Sequence, residues 1–172
     1  MNAADIWQDE VLTMEDNQKR DFFDAVRSNE LERTRSLLAA DSALANARIF
    51  GDATLLNEQV WQNKTVVDID ADETRDTPAL HHAVFHGNVE MAKLLLEHGA
   101  DIHALGYENN HELTPPIVLA AWEGGIDMLR LLLDHGANPN AKSGNGVTPL
   151  STALRHGEAD RVELLKRHGA VA

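Results

Sequence analysis

Histidine and acidic side chains are the groups in this sequence that could do chemistry. The chain has nine histidines and 28 acidic residues. His82 and His86 are four residues apart, the spacing that places two imidazoles on one face of a helix, where they could bind a divalent metal. No third ligand is evident beside them in the sequence, so we predict no metal site and no cofactor.

A second motif, Asp68-Ile-Asp-Ala-Asp72, resembles the start of a calcium-binding loop. Such a loop requires glycine at its sixth position and an acidic residue at its twelfth. Glu73 and Ala79 stand at those positions here. The sequence therefore favours a solvated acidic loop over a calcium site.

Motifs for nucleophilic catalysis are missing from the sequence. It contains no cysteine, no Gly-x-Ser-x-Gly and no His-Glu-x-x-His. The one short glycine-rich stretch, Gly144-Asn-Gly146, is typical of a turn in which Gly and Asn supply positive φ, not of a phosphate-binding loop. We predict that the protein is not an enzyme.

Composition and charge narrow the class of protein further. With 172 residues and 43% apolar residues, the chain is long and apolar enough for one folded domain. Its net charge of −13 argues against nucleic acid as a partner, because phosphate binding needs a basic face. The N-terminus is acidic and no stretch approaches the length of a membrane span, so we expect a soluble, cytoplasmic protein without membrane contact.

Three segments of the sequence repeat one pattern. Each opens with Thr-Pro, at Thr77, Thr114 and Thr148, and each contains two glycines twelve residues apart. Corresponding glycines are separated by 37 and then 33 residues along the chain. The glycine pairs are Gly87 and Gly99, Gly124 and Gly136, and Gly157 and Gly169.

These segments resemble the ankyrin repeat, which has a Thr-Pro-Leu-His-like opening, a glycine near its middle, a Leu-Leu…Gly-Ala ending and a period of 33 residues. A fainter copy runs from Phe22 to Asp41, with Asn29 in place of the middle glycine. The tract from Leu37 to Arg48 is similar to that of small stand-alone bacterial ankyrin proteins. The resemblance implies an all-α ankyrin-repeat solenoid of about four helix-turn-helix repeats, with a capping N-terminal helix and a long insertion after the first repeat.

On this basis residues 1–172 form a single ankyrin-repeat domain. The expected divisions are a cap helix at 1–16, repeat 1 at 17–47, an insertion at 48–75, repeat 2 at 76–108, repeat 3 at 109–146 and a C-terminal capping repeat at 147–172. The insertion is apolar enough either to cover the repeat stack or to project as a finger that contacts a partner, and both alternatives stay open.

Physical chemistry gives the repeated residues structural roles. We expect each Thr to cap the first helix of its repeat, and the middle residue, Gly or Asn29, to end that helix in a left-handed conformation. A histidine before the last glycine can bond the carbonyls at the end of the second helix. The end repeats carry arginine where the inner repeats carry methionine, as solvent-facing ends require. The residues concerned are the histidines His98, His135 and His168, the arginines Arg33 and Arg161, and the methionines Met91 and Met128.

The resemblance also implies a binding surface. In ankyrin proteins, the two residues before the middle glycine point into a concave groove that contacts other proteins. Phe85 and Trp122 are then the expected anchors, because large exposed aromatic side chains often dominate binding energy. The expected partner-binding residues are Phe85, His86, Trp122, Glu123, Arg155 and His156 in the groove, with Trp61 and Tyr107 in the two inserted segments.

The sequence thus predicts a monomeric protein–protein interaction module whose partner has a basic surface. An inhibitor or immunity protein that neutralises a toxin or an enzyme is the alternative. A metal-dependent enzyme that uses His82 and His86 is a more remote one.

Overall fold

A computed structural model of the chain describes residues 14–49, 77–107 and 113–171. Helices dominate these ranges. The helices are α1 (Met14–Arg27), α2 (Leu31–Ala40), a 3₁₀ turn (Ser42–Asn46), α3 (Ala79–Phe85), α4 (Val89–Glu97), α5 (Pro116–Leu119), a π-helical turn (Ala120–Gly124), α6 (Gly125–Asp134), α7 (Pro149–Arg155) and α8 (Ala159–Arg167). Four two-residue strands complete the described elements: β1 (Arg48–Ile49), β2 (Thr77–Pro78), β3 (Gly106–Tyr107) and β4 (Leu113–Thr114).

The helices are arranged as pairs, and each pair packs against the next one along the chain. The pairs are α1 with α2, α3 with α4, α5 and the π turn with α6, and α7 with α8, here called repeats 1 to 4. The core forms where these pairs meet, because a pair of short helices cannot bury its apolar faces alone. Fully buried side chains recur in every repeat, including Phe22, Phe23, Leu80, Met91, Leu95, Met128, Leu132, Leu150 and Leu165.

Left-handed residues end the first helix of most repeats, as the spacing predicts. Asn29 has φ of 56°, which confirms that it takes the place of the middle glycine, and Gly87 and Gly157 also have positive φ. The prediction was wrong for Gly124, whose φ is −72°. There the π turn takes up one more residue before the chain reverses, so Gly125, with φ of 77°, adopts the left-handed conformation instead.

The predicted threonine caps were correct only in repeat 4. The Thr148 side chain accepts a hydrogen bond from the Ser151 amide and forms a reciprocal capping box with it. In repeats 2 and 3 the N-cap residues are Pro78 and Pro115. All three N-caps lie nine residues before the middle glycine, whereas the threonines of repeats 2 and 3 lie ten before it and are drawn into strands.

Two of the three repeated histidines, His98 and His135, have the structural role that we expected for them. Nδ1 of His98 donates to the Leu94 carbonyl at 2.9 Å, and Nδ1 of His135 donates to the Leu131 carbonyl at 2.8 Å. Each imidazole is a second donor to a carbonyl in the last turn of a second helix, because that carbonyl also accepts from the backbone amide of the same histidine.

Two asparagines join the ends of neighbouring repeats, an interaction that the sequence pattern did not indicate. The Asn46 side chain donates to the Gly99 carbonyl at 2.8 Å and accepts from the Asp101 amide at 2.7 Å. Asn140 forms the corresponding pair of bonds with Gly169, at 3.0 Å, and with Val171, at 2.8 Å. These bonds fix the spacing between successive repeat ends.

Antiparallel hairpins mark the places where the sequence has inserted segments. β1 pairs with β2 and β3 pairs with β4, and β2 lies beside β3. Arg48, in β1, donates to the Leu105 carbonyl and so ties the first hairpin to the start of the second. Most of the predicted insertion at 48–75 lies outside the described residues, as does most of the predicted cap helix at 1–16.

The two ends of the stack differ in the polarity of their exposed side chains. Arg33 is exposed and forms ion pairs with Asp21 and Glu30. In repeat 4, Leu154 is 55% exposed and lines an open groove of about 690 Å³ with Val162 and other residues. The C-terminal repeat is therefore polar only in part on its outer face. Across the described ranges, no helix has both the length and the apolar character needed to span a membrane.

Candidate functional site

The residues expected to form the binding surface lie at the ends of the first helices. Arg27, Phe85 and Arg155 are the last residues of α1, α3 and α7, and Trp122 lies in the π turn. Each precedes the chain reversal, and in repeats 1 to 3 it directly follows a buried residue, whereas Arg155 follows the exposed Leu154. All six predicted groove residues are exposed: Phe85, His86, Trp122, Glu123, Arg155 and His156. Arg27 and Ser28, at the corresponding place in repeat 1, are exposed as well.

Phe85 is the exposed aromatic residue of repeat 2. Its side chain is 46% exposed, although Val84 and Ala83 beside it are buried. The rings of Phe85 and His86 meet edge to face, with centroids 5.2 Å apart and an interplanar angle of 87°. This neighbour restricts the phenyl ring without covering it.

Trp122 is the exposed aromatic residue of repeat 3, and it contacts the next repeat. Its indole stacks on the imidazole of His156, with centroids 6.1 Å apart and an interplanar angle of 22°. The indole remains 39% exposed. The structure therefore brings two of the sequence-predicted residues, from adjacent repeats, into one aromatic platform.

Arg161 hydrogen-bonds the backbone of the turn that carries Trp122, and it was not predicted as a site residue. Its Nη1 donates to the carbonyls of Ala121 and Trp122, both at 2.9 Å. The side chain is only 15% exposed, so Arg161 does not act mainly as the solvent-facing end that we predicted. In the sequence, Arg161 differs from the inner repeats only in replacing their methionine. That replacement does not show whether the arginine side chain is solvated or bonded to the backbone.

His81 and His82 lie in the middle of α3, where His81 is buried and His82 is partly buried, and they do not contribute to an exposed site. Nε2 of His81 donates to the Thr114 carbonyl at 2.8 Å and so links α3 to β4. Burial, opposed by this bond, lowers the pKa of His81 to about 4. Burial, with smaller effects of the Arg27, His81 and His86 charges, likewise lowers the pKa of His82 to about 4.

The structure does not place His82 and His86 as a ligand pair. The His82 ring is largely buried and meets the Phe23 ring edge to face at 5.9 Å, whereas His86 is exposed. In the part of the chain that the structure describes, no three histidine or carboxylate side chains are grouped as metal ligands.

Two of the predicted partner-binding residues belong to the inserted segments. Trp61 lies outside the described residues. Tyr107 is in β3, and its backbone pairs with that of Leu113. Contact of these two side chains with a partner stays a prediction, as it does for the groove residues.

Charge is distributed unevenly along the sequence. Segments 1–13, 50–76 and 108–112 together hold 12 of the 28 acidic residues but only two of the 15 basic ones. The described residues hold the other 16 acidic and 13 basic residues and are close to neutral. Most of the excess negative charge therefore belongs to the segments that flank or interrupt the repeats.

Comparison with known proteins finds short stretches of similarity to plant channels. The chain is 48% identical over 67 residues to Potassium channel AKT3 of Oryza sativa subsp. japonica, a match that covers 39% of this chain and 7% of the channel. It is 49% identical over 51 residues to Potassium channel AKT1 of Oryza sativa subsp. indica, which covers 30% of this chain and 5% of the channel. The chain thus spans less than a tenth of the length of these relatives.

A family comparison covers far more of the chain. The sequence model described as "Ankyrin repeats (3 copies)" matches residues 22–143 and 102–172. These matches include all of the helix pairs except residues 14–21 of α1, together with the left-handed residues that end the helices and the surface that contains Phe85 and Trp122. The chain belongs to the ankyrin-repeat family.

Proposed function

We propose that this protein is a solenoid that binds another protein through the surface at the ends of its first helices. Ankyrin repeats are in general protein–protein interaction modules. The single observation that supports this surface most is that Phe85 and Trp122 remain exposed, at 46% and 39%, on helices whose other large apolar residues are buried. Large apolar side chains left in water on a well-packed scaffold are typical of an interaction site.

The geometry suits a rigid recognition surface. Each aromatic ring has an imidazole beside it, His86 for Phe85 and His156 for Trp122, so little side-chain entropy remains to be lost on binding. Anchors of this kind cost about 2 kcal/mol or more of binding free energy when they are truncated to alanine. Glu123, Arg155 and His156 are exposed beside them and would supply polar contacts at the rim.

A partner with a basic surface fits the charge of the chain. The attraction would come mainly from the acidic segments 50–76 and 108–112, since the described residues are close to neutral. We include Trp61 and Tyr107, from the insertion and from β3, in the proposed contact surface. Charge attraction of this type accelerates association and weakens as salt is added.

Affinity capture with quantitative mass spectrometry tests the proposal. The bait is the full chain, exposed to an extract of the cells that produce it, and the test variant is Phe85→Ala/Trp122→Ala. We expect the double variant to lose a specific protein that the unchanged chain captures, by about 30-fold or more in affinity. If the captured protein is an enzyme or a toxin that loses activity on binding, the module acts as an inhibitor.

Leu154→Ala/Val171→Ala is the matched control. These two side chains are also exposed, at 55% and 67%, but belong to the C-terminal repeat end. The proposal requires the control to capture the partner as well as the unchanged chain does. Full capture by the Phe85→Ala/Trp122→Ala variant, with both variants folded by circular dichroism, would rule it out.

A further inference from the structure

The end of the first helix in repeat 3 differs from the corresponding ends in repeats 2 and 4. In repeat 2, the Gly87 amide donates to the Val84 carbonyl at 3.0 Å. In repeat 4, the Gly157 amide donates to the Leu154 carbonyl at 3.2 Å. In repeat 3, the carbonyl at the equivalent place belongs to Ala121, which lies inside the π turn and accepts a hydrogen bond from a side chain of the next repeat.

Two neighbouring glycines allow this wider turn. A Cβ atom on Gly124 would lie 3.0 Å from Cγ of Met128 and 3.2 Å from Cβ of Ala120, so a side chain here would require these neighbours to shift. Gly125 then reverses the chain with φ of 77°. A single π turn of this kind has i→i+5 spacing, is rare in proteins and often marks a functional site.

Arg161 supplies the donor that the wider turn uses. Its single atom Nη1 bonds the carbonyls of both Ala121 and Trp122. Met91 and Met128 occupy the equivalent place in repeats 2 and 3, four residues after the middle glycine, and both are fully buried. Methionine could fill this space but could not donate a hydrogen bond.

The consequence of the wider turn is the orientation of Trp122. One of the two carbonyls that Arg161 bonds is that of Trp122 itself, and the indole stacks on His156, in the same repeat as Arg161. Phe85 ends an ordinary α-helix, and its ring contacts that of His86, the next residue of the same repeat. Repeat 4 therefore holds both the backbone and the ring of Trp122.

We propose that Arg161 is the positioning residue of the binding surface: its guanidinium locks the π turn and so holds Trp122 in the stack with His156, the orientation in which the indole meets the partner. The contact of the indole with a partner rests on the proposed function. The locking of the turn and of the stack does not depend on any partner.

Tryptophan quenching and hydrogen exchange test the locking directly. The chain has three tryptophans, so Trp7→Phe/Trp61→Phe leaves Trp122 as the single fluorophore. In this background we expect Arg161→Met to make Trp122 more accessible to acrylamide. We also expect it to accelerate amide exchange of residues 120–125 by about tenfold, because two hydrogen bonds to the turn are lost.

Two further variants separate positioning from general stability. Arg161→Lys should restore part of the protection, because one ammonium group can donate to both carbonyls as Nη1 does. His156→Ala should expose Trp122 to acrylamide but leave exchange of residues 120–125 unchanged. Arg161→Met overturns the proposal if it leaves quenching and local exchange unchanged, or if it accelerates exchange equally throughout α7 and α8.

Partner capture then tests whether Trp122 meets the partner in the orientation that Arg161 holds, which depends on the proposed function. Arg161→Met should weaken capture about as much as Trp122→Ala, while Arg161→Lys retains more of it. If Trp122→Ala captures the partner fully, the proposed function has failed and the exchange result still decides the role of Arg161. If Trp122→Ala loses the partner while Arg161→Met keeps it in full, Arg161 does not position the contact.

Discussion

At the scale of single residues, His81 and His82 are adjacent in α3 but differ in their hydrogen bonding. His81 donates to the Thr114 carbonyl and so joins repeat 2 to β4 of repeat 3. Its ring also packs so closely on Gly106 that a Cβ atom there would lie 2.7 Å from it. The buried Nε2 of His82 has no hydrogen-bond partner among the described residues.

Both histidines make stability depend on pH. Their folded-state pKa values of about 4 lie below the ordinary value of 6.5, so folding favours the neutral rings. Their contribution to stability is therefore full above pH 6.5 and is lost as the pH falls from 6.5 toward 4. Each should cost about 2 kcal/mol of unfolding free energy between pH 7 and pH 5.

We predict that His82→Leu reduces the loss of stability between pH 7 and pH 5 by about 2 kcal/mol. The variant should also be as stable as the unchanged chain at pH 7, since Leu119 occupies the equivalent place in repeat 3 and the unpaired Nε2 is removed. Urea denaturation at the two pH values measures both effects.

His81→Val is the comparison variant, because Val118 stands at the equivalent place in repeat 3. It should show the same weaker pH dependence but lose about 1 kcal/mol or more at pH 7, since it also removes the hydrogen bond to Thr114. An undiminished pH dependence in His82→Leu would show that the His82 ring is not held neutral by the fold.

At the scale of elements, the spacing of Gly and Asn residues was the most informative part of the sequence. It placed the ends of the helices correctly in repeats 1, 2 and 4, because few other residues tolerate positive φ. The Thr-Pro motif was less informative. An extra residue before Leu80 and before Ile117 displaces Thr77 and Thr114 from the capping position, and prolines fill it.

The π turn could not be foreseen from the sequence. Gly124 and Gly125 can both adopt positive φ, so the pattern alone does not say which of them reverses the chain. The contacts that decide between them are long-range: Met128 and Ala120 crowd Gly124, and Arg161 bonds the turn from about 40 residues away. The candidate anchors Phe85 and Trp122 were named from their place in the repeat, but the stack of Trp122 on His156 depends on this turn.

At the scale of the whole molecule, burial at a given place in the repeat depends on whether another repeat follows. Val84, Ala121 and Leu154 each lie three residues before the middle glycine. Val84 and Ala121 are fully buried, because the next helix pair covers them, whereas Leu154 is 55% exposed at the end of the described stack. Repeat arrays behave in this way because each repeat contacts only its neighbours.

We predict that the same substitution has opposite consequences at these equivalent places. Val84→Lys should destabilise the protein by about 3 kcal/mol or more, since it buries an ammonium group between repeats 2 and 3. Leu154→Lys should change the unfolding free energy by less than about 0.5 kcal/mol. Urea denaturation of the two variants tests the prediction, and similar losses in both would mean that Leu154 is covered in solution.

Site-directed photo-crosslinking is the measurement that tests the binding surface most directly. The probe p-benzoylphenylalanine replaces His86 or Glu123, which are exposed beside the anchors Phe85 and Trp122. For comparison it replaces Lys93 or Arg130, which are exposed at one equivalent place on the second helices α4 and α6. We predict that the captured partner cross-links to the probe at 86 and at 123 and not at 93 or 130. Cross-links at 93 and 130 with none at 86 and 123 would contradict the account, because the partner would then bind the second helices instead of the surface at the ends of the first ones.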